Sequence, residues 1–179
     1  SLSEDQFSSQ AWAVALELKG SIVSSPGRWD EAQEVYRGAL EIFAESDDSE
    51  LARARILSSQ ADISVTQGDL EGGLAMHREA LESFIKLGDP QGAARTYNNM
   101  GFIFRRQRDT KRSLEVYENV EALLDSEDDY RLVESRIKLA AAFLDMGEME
   151  RARAHAFKAY EGTLAGPLYT SDAADDTPA

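Results

Sequence analysis

Apolar residues recur along this chain at intervals of three and four, the spacing that lines one face of an α-helix, rather than the alternation by two that marks a strand. Leu114, Tyr117, Val120 and Leu124 show the pattern in one stretch. It predicts eight helices, near residues 6–24, 28–45, 49–67, 69–87, 90–107, 109–124, 129–146 and 148–163, and no strand. Turn chemistry marks the joints. Gly88 suits a left-handed residue closing a helix, Asp89 an N-cap and Pro90 the first residue of the next helix. Pro26 and Gly27 interrupt the first pair, and the acidic stretches ESDDSE and DSEDD read as solvated loops between pairs.

The helices repeat as pairs. The segments GRWDEAQEVYRGAL from Gly27, GDLEGGLAMHREAL from Gly68, RDTKRSLEVYENVE from Arg108 and GEMERARAHAFKAY from Gly147 align without gaps, at spacings of 41, 40 and 39 residues. Small residues hold one column at Ala32, Gly73, Ser113 and Ala152. Ala39, Ala80, Val120 and Ala159 hold a second, and Gly20, Ala61, Gly101 and Ala140 a third in the preceding helix. Small side chains in register let two helices approach closely. A period of about 40 residues therefore covers a two-helix unit, with pairs near 6–45, 49–87, 90–124 and 129–163.

These residues resemble tetratricopeptide repeats in a lengthened form of roughly 40 residues, over about residues 8–164. NNMGFIFRRQRDTKRSLEVYENVEAL is the most typical stretch. The family's large second-helix residue matches Tyr36 and Tyr117, with His77 and Ala156 as weaker versions. Its turn glycine matches Gly27, Gly68 and Gly147, and Arg108 departs from it. The resemblance implies an all-α superhelix, or solenoid, of about four antiparallel helix pairs within a repeat domain spanning 1–167. One pair cannot bury its apolar face alone, so stability comes from stacking on neighbours. In the last pair Leu144, Phe157 and Tyr160 are apolar residues that a following helix would cover. An array cut there is expected to self-associate.

Composition narrows the functions. With 33 acidic against 19 basic residues the net charge is −14, and the field of such a chain disfavours nucleic acid and anionic membrane. No apolar run approaches a membrane span. Zero cysteine removes disulfides, thiol catalysis and thiolate metal sites, and suits a reducing, cytoplasmic setting. Of the two histidines, His77 replaces an aromatic core residue and is expected to pack, and neither has the spacing of a zinc helix. GDLEGG and GDPQG match no phosphate-binding fingerprint. The methionines sit where core fillers belong, and Gly72 has no small-residue counterpart in the other copies to explain it. No enzyme active site, cofactor or metal site is expected.

One charge feature stands out. RRQRDTKR contributes Arg105, Arg106, Arg108, Lys111 and Arg112 against Asp109, a local +4 in an acidic chain. A solvated face is the plain reading and a basic pocket the functional one. The family resemblance implies that first helices line a concave groove for peptides. It places Arg55, Ser58, Ser59 and Asp62 there from the second pair, and Arg95, Asn98, Asn99, Phe102, Arg105 and Arg106 from the third. Glu134, Lys138 and Asp145 follow from the fourth. Asn99 matches the asparagine with which chaperone-binding members hold a peptide terminus. Ser58 and Glu134 stand where those members carry lysines, which argues against chaperone tails. Arg95, Asn99, Phe102 and Arg106, at spacings of 4, 3 and 4, share one helical face with Asn98 and Arg105 at its borders.

The expected function is a noncatalytic protein- or peptide-binding scaffold module, with an acidic peptide as ligand, within a larger microbial regulatory or assembly protein. The alternatives are a receptor for a signalling peptide that controls an attached output domain, and a helical subdomain of an enzyme. Residues 168–179 follow the Gly166-Pro167 break and lack helical periodicity. LYTSDAADD reads as a disordered tail or, more sharply, as translated sequencing-adapter sequence on a metagenomic fragment.

Overall fold

A computed structural model describes residues 28–43, 50–124 and 129–165. The expected first helix (6–24), the two acidic stretches apart from their last residues Glu50 and Asp129, and the tail 168–179 lie outside the described residues. Seven helices are described: α1 Trp29–Phe43, α2 Glu50–Gln67, α3 Leu70–Leu87, α4 Pro90–Arg106, α5 Thr110–Leu123, α6 Tyr130–Asp145 and α7 Met149–Ala165. Among the described residues there is no strand, and no helix is long and apolar enough to cross a membrane. The chain divides into two compact units between Asn99 and Met100, inside α4.

Four joints share one hydrogen-bond pattern. At each, the joint residue's N–H reaches back three residues and the next N–H reaches back five, as Gly68 to the Val65 carbonyl (3.2 Å) and Asp69 to that of Ser64 (2.9 Å). Gly88–Asp89, Arg108–Asp109 and Gly147–Glu148 repeat it. This closure needs a left-handed residue, and Gly68, Gly88 and Gly147 supply it at φ 96°, 67° and 77°. Arg108 supplies it without being glycine, at φ 62°. An L-residue there is strained by about 1–2 kcal/mol. After the entropic penalty of glycine is set against that gain, Arg108→Gly is expected to raise stability by about 0.5–1 kcal/mol in urea denaturation. A loss of stability would show that the arginine side chain stabilises the joint.

The next helix is then capped. The carboxylates of Asp69, Asp89 and Asp109 each accept from the backbone N–H three residues on, at Gly72, Gly92 and Arg112, all at 2.9 Å. Gly72 belongs to this first turn, where a Cβ would press on the Asp69 carboxylate as it is placed, although Arg112 shows that the same capped position also takes a side chain. At Asp109 the Arg112 backbone N–H, aided by its guanidinium, holds the carboxyl below its ordinary range.

The repeat columns are the core. Ala32, Ala39, Ala80, Ser113 and Val120 have no exposed surface, and Ala152 and Ala159 have 3%. Gly73 is closed off by Val65, and a Cβ on it would also come within 3.0 Å of the Ala61 carbonyl. Gly101 lies directly under the Tyr117 ring, leaving no room for a Cβ. In the first unit Ala32, Tyr36, Ala39, Phe43, Ile56 and Ile63 form one cluster, with Trp29 packed at its edge. In the second, Tyr117, Leu139, Phe143 and Ala152 form another. Ser135 fastens α6 to α5 by donating its hydroxyl to the Tyr117 carbonyl (2.9 Å, buried).

Candidate functional site: the faces of α2, α4 and α6

The first helices of successive pairs meet through polar side chains. In the first unit, Asn99 on α4 donates its amide N–H to Asp62 Oδ1 on α2 at 2.8 Å, in an exposed position. The same oxygen lies 3.2 Å from Nε2 of His77, which is fully buried. The approach is too poorly aligned for a hydrogen bond, and both His77 ring nitrogens lack a hydrogen-bond partner. His77 takes the buried place that Tyr36 and Tyr117 hold in neighbouring copies, so the packing expectation describes it, and Asp62 at its rim is the addition. Arg55 on α2 approaches Asp89, the cap residue before α4, at 3.9 Å. Arg95 is half-buried on α4.

In the second unit, Arg105 on α4 donates to Asp145 on α6 at 3.3 Å. Lys138 pairs with Glu134 one turn away at 2.7 Å. Phe102 is 48% exposed, with the Arg106 guanidinium 5.9 Å from its ring centroid. Beneath them Tyr117 is enclosed, and burial, opposed by Arg105 and aided by Glu134, pushes its hydroxyl up to about 12. It stays protonated at neutral pH and acts as a core residue.

Arg55, Asp62, Arg95 and Asn99 thus lie on α2 and α4, while Phe102, Arg105, Arg106 and Lys138 lie on α4 and α6 with polar or aromatic contacts of their own. Asn98 is different. It is 1% exposed, turned into the core rather than standing at the border of the face. Ser58 is likewise 1% exposed. Neighbouring helical residues lie about 100° apart, so with Asn98 turned into the core Asn99 points out of it.

Several polar contacts had no signal in the pattern of apolar positions. Arg112 stacks on Phe104, 4.7 Å from the ring centroid, which takes one cation of the basic stretch into a structural role. On α6, the buried Arg136 donates to Glu121 of α5 at 3.0 Å. His155 stacks on Phe143 at 5.3 Å, and Arg151 lies 4.0 Å from the centroid of that same ring. Burial holds the His155 pKa below its ordinary value against the pull of Glu121. Among the described residues no three of His, Cys, Asp and Glu gather into a metal-holding group.

Antiparallel helix pairs joined by repeated turns, with polar side chains bridging successive first helices, define a helical-repeat protein. Residues 52–126 match the family model described as Tetratricopeptide repeat. BtubC (BKLC) from P. vanneervenii, a solved structure, is similar at 25% identity, over 96% of this chain and 70% of that one, with a TM-score of 0.74. The structure of Pseudomonas aeruginosa pilF shares the fold at 17% identity, over 87% of this chain and 78% of that one, with a TM-score of 0.54. No curated protein matches the chain.

Proposed function

We propose that this chain is a noncatalytic scaffold module that binds a protein or peptide segment on the outward faces of its first helices. The observation that carries the reading is the exposed Asn99–Asp62 pair. It presents an amide with donor and acceptor capacity where two first helices meet, at a place where an incoming backbone can exchange for an exposed hydrogen bond at little cost. The match of residues 52–126 to a repeat family whose members generally mediate protein contacts supports it.

The ligand class follows from the charges and rings on these faces. Asp62 already supplies a carboxylate beside Asn99, so ligand acids belong to the cations, Arg95 in the first unit and Arg106 beside Phe102 in the second. An acidic peptide with an aromatic residue satisfies guanidinium and ring alike, each charge-assisted hydrogen bond contributing about 1.5–3 kcal/mol. The chain's net −14 opposes such a ligand at long range, but screening over about 10 Å in 0.1 M salt leaves the local cations to decide.

A peptide array followed by titration tests this. Arg106→Ala should weaken the selected acidic peptide by roughly 10-fold or more and reduce the salt dependence of its affinity. Asn99→Ala should weaken it less steeply and at all salt concentrations. Arg78→Ala, exposed on the second helix α3, should change nothing. Groove and control variants behaving alike, at unchanged helix content, would place the binding face elsewhere.

A further inference from the structure

The outer face of α7 breaks the repeat pattern in one column. Ten residues beyond Gly27, Gly68, Arg108 and Gly147 stand Arg37, Arg78, Glu118 and Phe157. The first three are charged and exposed. In α1 and α5 that holds although a following helix packs against each, α2 in the first unit and α6 in the second. Stacking the next helix pair therefore leaves this position in water, and a further pair placed on α7 would not cover Phe157, which is 60% exposed. Its exposure is not accounted for by an unfinished stack. Tyr160 beside it is also 60% exposed, and Ala154 is exposed one turn before.

Charges frame this aromatic symmetrically. Arg153 lies four residues before Phe157 and Glu161 four residues after, so the three share one ridge of the helix. Both charged residues are exposed, and neither makes an ion pair among the described residues. An antiparallel twofold centred on Phe157 sets residue 157 − n against 157 + n. Arg153 then meets the partner's Glu161, the small Ala154 meets the partner's Tyr160, and the two phenylalanines meet on the axis. Opposite charges meet four residues from the axis and a large side chain meets a small one three residues from it, as an isologous contact requires.

We propose that this face of α7 is a homodimer interface, α7 packing antiparallel on α7 of a second copy about an axis at Phe157. The self-complementary order of cation, small residue, aromatic, large residue and anion selects a second copy over a foreign partner. The contact is separate from the faces of α2, α4 and α6.

Sedimentation equilibrium of the full 179-residue chain over a concentration series tests it, with circular dichroism confirming that each variant keeps its helix content. The unmodified chain should fit a monomer–dimer equilibrium with no larger species. Phe157→Asp, a change at an exposed site, should weaken the dimer by about 30-fold or more, as for a central interface anchor. Arg153→Glu and Glu161→Arg should each weaken it by setting like charges together. The double variant Arg153→Glu/Glu161→Arg should recover it, and an equimolar mixture of the two single variants should form the heterodimer, in which both pairs are again opposite in sign. A monomer at every concentration, open-ended higher oligomers, or charge-reversed variants that neither weaken nor rescue each other would overturn the proposal.

Discussion

Tyr117→Ala should destabilise the chain by about 3–5 kcal/mol, the cost of deleting a large aromatic from a closed core. The ring has no exposed surface and belongs to the cluster of Leu139, Phe143 and Ala152, with Leu114 packed against it. The ring also lies against the bare backbone of Gly101, which has no side chain to fill the resulting cavity. Little of the loss comes from the hydroxyl, so Tyr117→Phe should cost less than about 1.5 kcal/mol, at most the net contribution of one hydrogen bond. Denaturant unfolding followed by circular dichroism measures both. Because repeat units depend on their neighbours, the alanine variant should also lose cooperativity, its unfolding broadening into two phases. A loss below about 1 kcal/mol for Tyr117→Ala would mean that the ring is not the keystone of its unit.

Gly73→Ala is expected to destabilise by about 1–3 kcal/mol, although alanine is the better helix former by about 1 kcal/mol. The added methyl would strike the Val65 side chain and crowd the Ala61 carbonyl at 3.0 Å. The other three copies carry alanine or serine in this column, so the glycine is the partner of a particular valine rather than a general requirement of the repeat. Val65→Ala makes room for the methyl. The double variant Gly73→Ala/Val65→Ala should therefore be more stable than the sum of its single variants by about 0.5–3 kcal/mol, the range for residues in contact. Strict additivity would show that backbone crowding at Ala61, not the Val65 methyl, sets the cost.

Much of this fold was legible because a two-helix period repeats the same information four times. The small-residue columns, the Gly88-Asp89-Pro90 joint and the helix bounds from α1 to α7, within two residues of those expected, all follow from local chemistry. Arg108 stood out as a departure from glycine, but only the structure shows that it adopts the glycine's left-handed backbone instead of changing the turn. Gly72 looked unexplained because a helix start drawn at residue 69 leaves no sign that its N–H is the capped one.

The candidate site was less legible. Whether Asn98 or Asn99 faces out is a matter of helix phase, which tertiary packing sets, and the structure buries Asn98. Asp62–Asn99 and Arg105–Asp145 join residues 37 and 40 apart, so they exist only once helix pairs stack. Sequence spacing marks which positions recur, not which side chains touch. Phe157 illustrates the converse: its aromatic character suggested cover by a following helix, and only the exposure of Arg37 and Glu118 in packed copies shows that the position stays open.

The binding face itself is tested most directly by the side-chain amide resonances of Asn99. With the array-selected acidic peptide titrated into the isotope-labelled chain, the Asn99 amide protons, one of which is held by Asp62 in the free protein, should shift progressively. They should saturate with the same Kd that calorimetry gives, and Asn99→Ala should remove only those resonances while weakening the peptide. Peptide binding that saturates while the Asn99 amide resonances stay in place would contradict a ligand seated on α2 and α4.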